Sequence, residues 1–167
     1  MKKLTKRITW AIAAGLCTST DALGVTLCAS NEEIVLSCRI EKSDKILSIC
    51  SSKPLAATTG YMQYRYGRLG AIEMTYPASK IGTQRAFRLK ANSHAEVFDT
   101  WLTFKAGKFV YSVYSIEDHG TDDKRPAYRH GVNVTSEGIV SSKKCSEPAQ
   151  GRLDGLGTVV LEGDFGE

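Results

Sequence analysis

Histidine is scarce in this 167-residue chain: His94, His119 and His130 are the only three. No C-x-x-C pair occurs and no histidine sits near a cysteine in sequence, so no zinc-ligand spacing is present and no metal is expected. There is no G-x-S-x-G turn, and no glycine-rich loop leads into a helix. The serine elbow of an α/β-hydrolase and the phosphate cradle of a nucleotide-binding fold are therefore both missing. Four prolines are too few for a collagenous or linker-like chain. The longest apolar run is about ten residues, roughly half of what a membrane-spanning helix needs. Helical periodicity is almost absent as well. Beyond that run the one short candidate is 92–99 (NSHAEVFD), one or two turns at most.

The first 24 residues carry a message of their own. Lys2, Lys3, Lys6 and Arg7 form a basic start, residues 8–17 are mostly apolar, and Ala22 and Gly24 place small residues at −3 and −1 of a cut after Gly24. That is the pattern of a secretory signal peptide over 1–24, with 25–167 as a single mature domain. The leader holds four Lys/Arg and one Asp, so the remaining 143 residues carry 18 basic and 17 acidic groups, net +1. The formal +4 of the whole chain belongs mostly to the leader. Without a broad basic field, nucleic acid is not an expected partner. Once the signal is removed, neither is a membrane.

Cys17 leaves with the leader, and Cys28, Cys38, Cys50 and Cys145 remain. Four cysteines in an exported domain imply two disulfides with three possible connectivities. IVLSCRI (34–40) and ILSICSS (46–52) read as strands joined by EKSDK (41–45). A hairpin turning on 43–45 puts Cys38 opposite Cys50 and leaves Cys28 for Cys145. Pairings of Cys28 with Cys38 or with Cys50 stay open.

More hairpins come after these. YMQYRY (61–66) and AIEMTY (71–76) alternate around a turn with two glycines. In the first, Met62, Tyr64 and Tyr66 face one way, while Tyr61, Gln63 and Arg65 face the other as a wet side. RAFRLK (85–90) is a short strand. TWLTFK (100–105) with FVYSVYS (109–115), and GVNVTS (131–136) with IVSSKKC (139–145), are two further hairpins. SEPAQGRLDGLG reads as loop and GTVVLE (157–162) as a last strand. The expected fold is all-β: an antiparallel hairpin meander forming a sandwich, small barrel or compact propeller, with two disulfides.

Residues 116–130 (IEDHGTDDKRPAYRH) lack apolar period and read as a long polar loop, a common place for function. Asp118, His119, Asp122, Arg125, Tyr128 and His130 are the candidate partner contacts. D-H-G-T-D-D matches no calcium-loop spacing. Adjacent acids such as Glu117-Asp118 cannot supply the separated carboxylates of a glycosidase. No cofactor and no catalytic residue are called for.

The run E-E-I-V-L-S-C-R-I…K-I-L-S-I-C-S (32–51), then Y-M-Q-Y-R-Y-G (61–67), A-I-E-M-T-Y-P (71–77) and F-V-Y-S-V-Y-S…H-G-V-N-V (109–134) with a late cysteine, resembles a group of small exported proteins of Gram-negative bacteria. The resemblance covers 28–145, and the stretch after Cys145 departs from it. It implies a small all-β periplasmic protein and transfers no catalytic residues. By size, compartment and disulfides the group is similar to periplasmic lysozyme inhibitors and immunity proteins. The expectation is a non-enzymatic periplasmic protein that inhibits another protein, either a toxin or a cell-wall hydrolase. The alternatives are an envelope enzyme acting on peptidoglycan or glycan, using Glu73 with an acid of the long loop, and a non-inhibitory structural or ligand-binding envelope protein.

Overall fold

Side chains in a strand alternate between two faces, so a strand with one wet and one dry side needs an alternating sequence. Nine segments of the chain form strands, and most of them follow that pattern; residues 46–51 are buried on both faces. In the computed structural model, which describes residues 24–120 and 125–165, they form β1 (Glu33–Ile40), β2 (Ile46–Ser51), β3 (Met62–Arg68), β4 (Ala71–Tyr76), β5 (Arg88–His94), β6 (Val97–Ala106), β7 (Phe109–Asp118), β8 (Ala127–Ser136) and β9 (Ile139–Gly151). The leader expected at 1–24 lies, apart from Gly24, outside the described residues.

All nine strands join one antiparallel sheet in the order β4-β3-β2-β1-β9-β8-β7-β6-β5, curled into a half-barrel. Two meanders, β1–β4 and β5–β9, meet through the β1–β9 pair. The fold is thus the expected all-β hairpin meander, and it takes the barrel-like form. Among the described residues no helix is long and apolar enough to cross a membrane.

The core lies on one face of the curl. Tyr64, Phe104 and Leu102 are buried there with Leu36, Leu47, Ile49, Met62, Val113 and Val132. Phe104 is the hub of the aromatic packing. Its ring lies 4.4 Å from Tyr76 and 4.8 Å from Tyr111, both stacked, and 5.0 Å from Tyr64 and 5.6 Å from Phe87. Residues outside the strands complete this face: Phe87, which follows a 3₁₀ turn at Thr83–Ala86, and Leu153, Leu156 and Val160 beyond β9.

Several segments differ from the sequence reading. Residues 92–99 are a β5–β6 hairpin, not a helical turn, with Ala95 in the left-handed region at its tip. The 116–130 loop shrinks, because β7 runs to Asp118 and β8 starts at Ala127. These outer rungs project past the core, so nothing selects apolar residues there and the alternation is lost. β9 continues to Gly151, through residues read as loop. The segment read as a last strand (157–162) is not one. Among the described residues its backbone meets β5 at Leu89, which donates to the Leu161 carbonyl and accepts from the Gly163 N–H.

The disulfides are Cys28–Cys50 and Cys38–Cys145, with Cα–Cα distances of 5.3 and 5.6 Å. The pairing of Cys38 with Cys50 is corrected by register. Cys38 stands opposite Leu47 on the core face, whereas Cys50 stands opposite Ile34 past a bulge and faces the other way, with Ser48. Residues on opposite faces of a sheet cannot bridge. Cys38 instead reaches Cys145 on β9, its other neighbour.

The outer face of β1–β3 is corrected too. Arg65 and Gln63, expected to be wet, are buried under the segment 24–32. The Leu27 N–H donates to Ser48 Oγ (3.0 Å), Ser37 Oγ donates to the Val25 carbonyl (2.9 Å), and the Cys28–Cys50 bridge pins the strap. Arg65 forms a two-pronged pair with Glu32, at 2.6 and 2.7 Å, and donates to the Leu27 carbonyl. Burial alone would raise the Glu32 carboxyl. Hydrogen bonds from Arg65, the Ala29 N–H and the Tyr61 hydroxyl outweigh it and hold the group at about 2.

Candidate functional site

A hydrogen-bonded ladder is continuous only while neighbouring strands stay side by side, and β9 changes partner midway. Residues 139–144 pair with β8, whereas Cys145–Gly151 pair with β1. The first rungs of β8, Ala127–His130, therefore pair with β7 alone, and the sheet is split between β8 and β9.

One side chain closes the top of this split. Glu147 Oε1 accepts from the His130 backbone N–H at 3.1 Å and lies 2.8 Å from its Nδ1. Oε2 accepts from the Ala149 N–H at 2.8 Å. The carboxylate thus satisfies backbone donors on both diverging strands. An acceptor facing Nδ1 selects the tautomer protonated there. The opposite nitrogen is Nε2. It is buried and has no hydrogen-bond partner among the described residues.

Two clefts flank this clasp. The larger, about 450 Å³, lies on the face away from the core. Cross-strand registry builds its floor: Trp101, Tyr114, Gly131 and Lys144 form one rung across β6–β9, and Asn133 and Ser142 belong to the next. The Trp101 and Tyr114 ring centroids are 5.3 Å apart at 45°. Trp101 Nε1 and Asn92 Nδ2 both donate to Asp99, which fixes the indole. Gly131 must lack a side chain, because a Cβ there would stand 2.4 Å from the Lys143 carbonyl and 2.5 Å from the Tyr114 hydroxyl. Tyr114 occupies that space. Burial pushes its phenol up, a hydrogen bond with Ser142 and the charge of Arg129 pull it down, and Glu41 and Glu147 push it up.

The smaller cleft, about 310 Å³, is lined by Tyr128, His130, Glu147, Pro148, Ala149, Gly151 and Arg152. At its rim Glu117 gathers three partners: the Tyr128 hydroxyl (3.1 Å), Arg152 Nη1 (3.1 Å) and His119 Nε2 (3.0 Å). The Arg152 guanidinium lies 5.5 Å from the Tyr128 ring centre.

No protein family, curated protein or solved structure matches the chain.

Of the candidate contacts, Asp118, His119 and Tyr128 come together at the β7–β8 end, where Asp118 also holds Arg129 at 3.4 Å. Arg125 is exposed where the chain returns towards β8. Asp122 lies outside the described residues. His130 departs from the expectation of an accessible contact: it is 3% exposed and clasped by Glu147. Glu73, the carboxylate considered for an enzyme, is engaged by Lys45 and Arg68 on β4, with β3, β2, β1 and β9 between it and β8. Among the described residues the only group of three or more His/Cys/Asp/Glu side chains with ligating atoms close together is Cys28, Glu32 and Cys50. Both sulfurs there are spent in the disulfide, so no thiolate is on offer.

Trp101, Tyr114, Glu147 and Arg152 were not visible as site residues. The first two read as ordinary strand aromatics, and only the rung they share with Gly131 marks them. Glu147 and Arg152 sit in a stretch that reads as loop, and no local spacing ties them to β7 or β8.

Proposed function

We propose that this chain is an exported, periplasmic protein that binds and blocks another protein, the target class being a toxin or hydrolase that acts on peptidoglycan. One observation carries the reading. At the β7–β8 end, Tyr128, Arg152, Glu117 and His119 hold one another in a fixed arrangement while Tyr128 and Arg152 stay open to solvent. Tyr and Arg dominate binding hot spots because they offer large contact area and several hydrogen bonds. Ordering them before binding lowers the entropic cost of association. Two disulfides brace the sheet that carries them, Cys38–Cys145 tying β1 to β9 and Cys28–Cys50 tying the strap to β2. Such a scaffold can press a rigid polar edge into an active-site cleft.

The test is affinity capture with the chain from Val25 onward in periplasmic extract, then calorimetry of the captured partner against variants. Tyr128→Ala and Arg152→Ala are each expected to weaken binding by roughly tenfold or more. Binding untouched by both variants would place the interface elsewhere. Turnover of isolated cell wall by the purified protein would overturn the non-enzymatic reading.

A further inference from the structure

Blocking a protein partner through the β7–β8 end makes no use of the larger cleft, whose composition suits a smaller occupant. Its volume of about 450 Å³ falls in the range of small-ligand sites. Its centre is aromatic: the half-buried Trp101 packs beside the buried Tyr114, so the indole is the ring that faces the cleft opening. Around them stand hydrogen-bonding groups of both kinds. Arg129 and Lys144 donate, Glu41 accepts, and Asn133 and Ser142 do both. All of these groups line the one cleft together with Tyr114. The formal charges balance, two cations (Arg129, Lys144) against two carboxylates (Glu41, Glu147). Lys144 makes no side-chain hydrogen bond or ion pair with the described residues, so its donors are available.

A lipid tail would waste those polar groups, and a phosphate would meet two carboxylates. A pyranose ring suits both halves of the site. Its C–H face packs on an aromatic ring, while each hydroxyl can donate to a carboxylate and accept from a cation, giving charge-assisted hydrogen bonds. We propose that the cleft over Trp101, Tyr114 and Gly131 is a saccharide-binding site, taking an uncharged pyranoside segment of a glycan.

The chain carries its own reporter, because Trp101 is the only tryptophan outside the leader. Titrating the purified protein with chitotetraose and with cellotetraose, and following Trp101 fluorescence, tests the proposal and distinguishes N-acetylated from plain glycans as the source. At least one probe is expected to give a saturable change that survives high salt. Lys144→Gln and Asn133→Ala, both on the surface of the sheet, are each expected to weaken it roughly tenfold, with circular dichroism unchanged. Absence of a saturable response to both probes would overturn the proposal. So would affinity indifferent to both variants, or displacement of the bound glycan by inorganic phosphate. Loss of partner binding in Tyr128→Ala has no bearing on this titration, so the two readings fail separately.

Discussion

Replacing Glu32 by glutamine should turn the buried ion pair under the N-terminal strap into a measurable loss of stability with a defined pH signature. Glu32 is 1% exposed at its side chain, and Arg65 9%. The carboxyl is held at about 2 instead of its ordinary 4.5. At about 1.4 kcal/mol per pH unit, that gap corresponds to roughly 3 kcal/mol of folding free energy. A depressed carboxylate stabilises the folded state fully above its unfolded value. The contribution is then lost as pH falls from about 4.5 through about 2. In E32Q the Arg65 guanidinium stays buried without a counter-charge, a situation that costs ~3–5 kcal/mol in buried pairs. Urea unfolding with the disulfides intact, followed by Trp101 fluorescence, should therefore show E32Q about 3 kcal/mol less stable at pH 7. The gap should close as pH approaches 2, where Glu32 itself becomes neutral. Because other carboxylates titrate equally in both proteins, the difference isolates Glu32. A gap under about 1 kcal/mol at pH 7, or one that persists unchanged at low pH, would refute the reasoning. Pairing Glu32→Leu with Arg65→Met should restore most of the loss, because the desolvation of both charges disappears with them.

Packing, backbone space and crosslinks each give a further expected outcome. Phe104→Ala removes the ring that touches four other aromatics and should cost ~3–5 kcal/mol in denaturant unfolding, against less than about 1.5 for a conservative Leu47→Met. Gly131→Ala forces a Cβ against the Lys143 carbonyl and the Tyr114 hydroxyl, so it should destabilise by ~1–3 kcal/mol and shift the Trp101 emission. Peptide mapping without reduction should recover Cys28 with Cys50 and Cys38 with Cys145; a Cys38–Cys50 peptide would contradict the register. Removing the long-range bridge by Cys38→Ser with Cys145→Ser should cost more than removing the short one, since the loop it closes spans 107 residues against 22, worth ~5 against ~3 kcal/mol in the chain-entropy view.

Period-two alternation is a local property, and it alone determined the strands, most of their hairpins and the inward direction of Met62 and Tyr64. The four cysteines beyond the expected leader likewise announced two bridges. What it could not decide depends on which strand lies beside which. The β1–β9 pair joins residues more than a hundred positions apart. The β1–β2 register, with its bulge, set the faces of Cys38 and Cys50, and the β1–β9 pair brought Cys145 to Cys38. The burial of Arg65 and Gln63 came from a strap whose own sequence shows no strand, and the outer rungs of β7 and β8 carried no apolar signal because no core faces them. The clasp at Glu147 exists only because β9 leaves β8 for β1 at Lys144, and both clefts arise from that divergence. Alternation states which face a side chain takes. Only the tertiary ladder, through register and the point where it splits, decides what stands opposite.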